Sequence, residues 1–159
     1  MGLCRGLSVL VGACAGPLPF PQVAAPAAII TVLYIAGVTN LARHETRERV
    51  PVLARLLPTC AILLAVFAAG NFAMQSPAKE PAVGILLIGA VWVAMLAVRM
   101  FRTRSPIPPI IGSHIRVLLL IQAAMCWLGE PWDAGRWAAG ALVAFIPLSQ
   151  LTARRFYAS

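Results

Sequence analysis

Val23 to Glu48 reads VAAPAAIITVLYIAGVTNLARHETRE. Its first part is an unbroken apolar run of about bilayer length, at ~20 residues for a ~30 Å hydrocarbon core. Its last part is a dense polar knot: Thr39, Asn40, Arg43, His44, Glu45, Arg47 and Glu48. Pro26 falls in the first turn, where a missing N–H costs a helix nothing. The stretch therefore predicts a membrane-spanning helix from about Val23 to Arg43, with a dense polar end.

The same pattern repeats outward from it. Leu3 to Ala15 is apolar but too short for a full crossing at about 1.5 Å per residue. Gly2, Gly6, Gly12 and Gly16 give it the small-x-x-x-small spacing that suits close helix contact. Pro17, Pro19 and Pro21 then break the chain. Further spans are expected at about Pro51–Met74, with a kink at Pro58, and at Pro81–Arg102, Ile110–Leu128 and Ala134–Arg154, the last with Pro147 inside it. QSPAKEP, TRSPIPP and GEPWD are the turns between them. The expectation is an all-α, polytopic transmembrane bundle. Residues 1–159 would form a single domain of about five full spans plus a partial N-terminal helix.

Composition agrees. Of the 159 residues, 60% are hydrophobic and 11% charged, against about 25% charged in a soluble domain. Apolar residues must then face lipid as well as each other, and no polar block remains for a soluble domain. The net charge of +8 does not point to nucleic acid. The basic residues are neither gathered on one stretch nor interleaved with stacking aromatics. They alternate instead. Arg43, Arg47, Arg49 and Arg55 mark one loop, Arg99, Arg102 and Arg104 another, and Arg154 and Arg155 the end. The intervening turns hold little beyond Lys79 and Arg136. The positive-inside rule places the start, the Arg-rich loops and the C-terminus in the cytoplasm, and the expected location is a bacterial inner membrane. Trp127, Trp132 and Trp137 then lie at the outer interface. Cys4, Cys14, Cys60 and Cys126 lack paired spacing and read as small hydrophobes.

Polar groups inside spans are costly and usually face a bundle interior or a cavity. Thr39, Asn40, Arg43 and His44 end the second helix. Ser113, His114 and Arg116 begin the fifth, and Arg5 lies near the start of the first. Three helices thus bring cations to one membrane face, where they could converge on an anion. The plain alternative for each Arg is snorkelling to the interface. Arg116 resists that alternative because it sits more than a turn inside its apolar run. Gln122 reads as an interhelical hydrogen-bonding residue. His44 and Glu45 are adjacent on a helix and so point apart, a weak metal pair. No Ser-His-Asp, H-E-x-x-H or phosphate-binding Gly loop occurs.

Three stretches together resemble the UbiA superfamily of intramembrane prenyltransferases: CRGLSVLVGACAG, LYIAGVTNLARHETRER and SHIRVLLLIQAAMCWL. The first resembles the basic, small-residue helix before that family's middle loop. The second stands where the family places its second aspartate-rich segment, and the third resembles a late helix of the fold. The resemblance covers most of the chain, as the C-terminal half of a family member. It implies a prenyltransferase that moves a prenyl group from an isoprenoid diphosphate to an acceptor, with Mg²⁺ on acidic motifs. It implies Arg5, Asn40, Arg43, His44, Arg47 and Arg116 as diphosphate contacts. Tyr34, Thr39 and His114 would line the cavity, and Glu45 would be a metal ligand. The chain departs from the pattern. The first acidic motif would precede Met1, and the second reads G-x-T-x-x-A-R-x-E. The expectation is therefore an incomplete prenyltransferase, needing an N-terminal half or a second copy. The alternative is a non-catalytic isoprenoid-binding or scaffold protein in the bilayer.

Overall fold

The structure is a computed structural model that describes residues 2–14, 24–44, 50–72, 79–102, 107–129 and 133–157. Within these, six helices follow in order: α1 (Gly2–Cys14), α2 (Ala24–Ala42), α3 (Val52–Phe72), α4 (Lys79–Arg102), α5 (Ile107–Gly129) and α6 (Asp133–Tyr157). The described residues are helical apart from short flanking pieces. Four helices, α2 to α5, are long and apolar enough to cross a membrane. On length and composition the chain is an integral membrane protein.

The helix limits fall close to those the apolar runs predict; α6 runs on past Arg154 to Tyr157, and two helix starts differ for a shared reason. TRSPIPP is not all loop, because Ile107, Pro108 and Pro109 already belong to the first turn of α5. Likewise Lys79, Glu80 and Pro81 open α4 rather than closing a turn. The reason is the same in both places. A helix's first N–H groups have no intrahelical partner, so proline at its start loses nothing. α6 is the longest helix at 25 residues but is not among the four apolar enough to span. Asp133, Arg136, Pro147, Gln150 and Thr152 dilute its apolar run.

Packing follows chain order: each helix lies against the next, and α2 also packs on α5, closing a four-helix core. α1 packs on α2 alone and α6 on α5 alone, among the described residues. Leu41 ending α2, Leu96 and Met100 ending α4, and Ile110 starting α5 share one buried cluster. These termini therefore lie at one level. Arg43, Arg55, Arg99 and Arg102 sit at this same end. At the opposite end, Arg136 starting α6 lies over the Trp127 ring, 5.9 Å from its centroid.

Gly37 and Gly6 each lie at a close helix approach. A Cβ on Gly37 would lie 3.1 Å from the Pro58 nitrogen and 3.3 Å from the Leu57 carbonyl carbon. α2 thus meets α3 backbone to backbone, where Pro58 interrupts the α3 ladder. On α1, a Cβ on Gly6 would collide with the Val32 side chain and crowd the Ala28 carbonyl. The small-residue spacing of α1 is thus used at Gly6. Outside this core, Ile29, Leu63, Phe67, Ile88 and Val91 are exposed, the surface a bilayer would cover.

Candidate functional site

The polar residues of α2 and α5 divide by helix face. Along α2, Ile30, Tyr34, Gly37 and Leu41 form the buried side. Ile29, Leu33, Ala36, Thr39 and Arg43 form an exposed one, and Asn40 and His44 are half-buried. A helix advances about 100° per residue, so residues three and four apart share a face. Thr39 and Arg43 are on the outward stripe, not over the bundle interior.

Tyr34 is the inward member. It is 1% exposed, and its partner His114 of α5 is fully buried. The Tyr34 hydroxyl lies 3.1 Å from His114 Nδ1 and donates to the His114 carbonyl at 3.1 Å. The rings meet edge to face, 6.1 Å between centroids. The hydroxyl has one proton, and the carbonyl can only accept. If the proton goes to that carbonyl, Nδ1 must carry its own and donate to the tyrosine oxygen. Nε2 is then a bare lone pair, buried and without a partner. The pair bolts α2 to α5 and packs the space between them.

The α2 end is a built C-terminus. His44 Nδ1 donates to the Asn40 carbonyl at 2.8 Å, and the Arg43 and His44 N–H groups donate to the Thr39 and Leu41 carbonyls. Last-turn carbonyls lack helix donors, and a histidine is a usual supplement. His44 is thereby occupied by its own helix. Glu45, Arg47 and Glu48 lie outside the described residues. Arg5 is described in its backbone only. It stands beside Gly6, which packs on Ala28 and Val32, below the level of Thr39.

Arg116 goes elsewhere. Two residues from His114, it points away from α2 and donates from Nε to Ser149 Oγ of α6 at 3.2 Å. Arg43 on the outward face of α2 and Arg116 at the α5–α6 seam therefore do not share one site. Gln122 is half-buried, and no hydrogen bond to a described residue is found for it.

Arg55 was legible only as a loop charge. Its Nη1 donates to the Met100 carbonyl at 3.0 Å, and its guanidinium covers the Phe101 ring at 5.1 Å. A cation on a helix C-terminus satisfies an orphan carbonyl and the dipole together. Arg55 Nε and Thr59 Oγ1, one turn apart on α3, are buried without partners.

Among the described residues no group of three or more His, Cys, Asp or Glu could hold a metal ion. Mg²⁺ takes six oxygens, mostly carboxylate, phosphate and water. The donors described here are amide, hydroxyl, imidazole and guanidinium, and they do not fit it.

Comparison with protein-family models, with curated proteins and with solved structures finds nothing that matches this chain.

Proposed function

We propose that this chain is a membrane-embedded protein that binds an isoprenoid diphosphate along the outward face of α2, without itself transferring the prenyl group. That face supports the reading by its profile: exposed Ile29, Leu33 and Ala36 lead to exposed Thr39 and Arg43, with Asn40 beside them. A prenyl chain would lie on the apolar length, and its diphosphate would meet Arg43 and the Asn40 amide. Charge-assisted bonds from guanidinium to phosphate are about twice as strong as neutral ones. The Tyr34–His114 bolt holds α2 in the rotation that presents this stripe.

Prenyl transfer by a UbiA-like enzyme is the related reading. It requires Mg²⁺ ligands from Glu45, Glu48, an N-terminal half or a second copy, since the described donors do not supply them. In either reading the Arg-rich helix ends face the cytoplasm of a bacterial inner membrane, and α6 completes a fifth crossing.

The test is a titration of the purified chain in detergent with geranylgeranyl diphosphate, with and without Mg²⁺. Binding about tenfold weaker in Arg43→Ala, with no diphosphate released, is the expected result. Equal binding by Arg43→Ala and the parent would refute the α2 site, and diphosphate release by the parent would refute the non-catalytic reading.

A further inference from the structure

The geometry points to a second anion site, at the α5–α6 seam, where Arg116 and Ser149 hold the phosphate headgroup of an anionic membrane phospholipid. Arg116 is the sole formally charged residue of α5. It lies eight residues past Pro108, about 12 Å along the helix at 1.5 Å per residue. Isolated charges at such depth are normally paired. Its Nε donates to Ser149 Oγ, and the Ser149 hydroxyl donates in turn to the Ile146 carbonyl at 2.7 Å. The serine proton is therefore committed, and its lone pair faces the guanidinium. This fixes the fork against α6 instead of letting it run up the helix to the interface.

The two terminal nitrogens of Arg116 have no hydrogen bond to a described residue and are not sealed from the surface. Among the described residues no carboxylate is placed to neutralise them. Glu80 opens α4 and Asp133 opens α6, both at the far end of the bundle. Glu45, Glu48 and Glu130 lie outside the described residues. The neutralising anion must come from outside the described chain.

Access is lateral. Among the described residues α6 packs on α5 alone, and Ile115, beside Arg116, is 57% exposed. An anion arriving there comes through lipid, with its acyl chains along Ile115 and the exposed Phe145 and Leu148 of α6. A phosphodiester presents two oxygens to a fork with two free nitrogens, the bidentate match that guanidinium makes and ammonium does not.

The experiment measures lipid retention by native mass spectrometry on the full chain in neutral detergent, with phosphatidylglycerol, phosphatidylcholine and inorganic phosphate as probes. The parent should retain phosphatidylglycerol over phosphatidylcholine by about tenfold, and Arg116→Gln should abolish that preference. Ser149→Ala, which keeps the charge and frees the fork, should weaken retention about threefold, a readout that survives if Arg116→Gln fails to fold. Arg102→Gln removes one exposed cation elsewhere and should leave the preference intact. Equal loss in Arg102→Gln and Arg116→Gln would reduce the effect to general charge attraction and overturn the site. Displacement by inorganic phosphate at equal concentration would overturn a lipid as occupant. Unchanged retention in both Arg116→Gln and Ser149→Ala would overturn the seam altogether.

Discussion

His114 and Arg116 are two residues apart on one helix and live in opposite conditions. His114 is fully buried against Tyr34 of α2. Arg116 is half-buried at the edge, tied to Ser149 of α6 by one nitrogen. Two residues turn a helix by about 200°, so the pair must face opposite sides. The assignment of sides follows from chemistry. A neutral imidazole with a hydroxyl partner can be sealed in a bundle at little cost. A permanent cation cannot, unless a carboxylate is sealed with it. The α2–α5 seam is therefore a dry bolt, and the α5–α6 seam an open, charged edge.

Breaking the bolt should have the largest effect. His114→Ala removes a packed ring and leaves the Tyr34 hydroxyl one partner short. We expect a loss of about 3 kcal/mol, read as the midpoint of SDS-driven unfolding in mixed micelles. An unmoved midpoint would mean that the α2–α5 contact bears no load. Tyr34→Phe keeps the ring and removes only the hydroxyl, and should cost about 1 kcal/mol, near the upper part of the range for hydrogen bonds between membrane helices. A double-mutant cycle of Tyr34→Phe with His114→Leu should show coupling of about the same size. Additive losses would count against a direct bond.

Arg55→Met tests a third situation, a cation at the bundle end that already has a carbonyl and a ring. Removing the Met100 cap and the Phe101 stack should cost about 1 kcal/mol in the same titration. Arg116→Gln should move the midpoint least, by under about 0.5 kcal/mol, because Arg116 is half-buried and makes a single hydrogen bond, to Ser149. A loss as large as that of His114→Ala would erase the distinction between the seams.

Much of the architecture was legible because it is local. Apolar runs of bilayer length gave α2 to α5, and prolines and polar turns marked their limits within a few residues. The errors at TRSPIPP and QSPAKEP come from reading proline as a breaker where it was a first-turn residue. The candidate site was legible as a list of polar residues at one end, but not as a grouping. Arg55, a loop charge by sequence, proved to be a helix cap, and Ser149 carried no signal until α6 was placed beside α5.

By itself, then, the sequence determined the helices, their lengths and the end of the bundle that carries the arginines. Hydropathy and charge along a chain are one-dimensional properties, and they suffice for that. Only the tertiary structure decided which way each helix is turned. α2 is apolar nearly all round, so no stripe marks its inward side, as it would in a soluble helix. The rotation is set by close packing at Gly37 on Pro58 and by the Tyr34–His114 bond. That rotation sends Thr39 and Arg43 outward, and on α5 the His114 contact leaves Arg116 at the lipid edge.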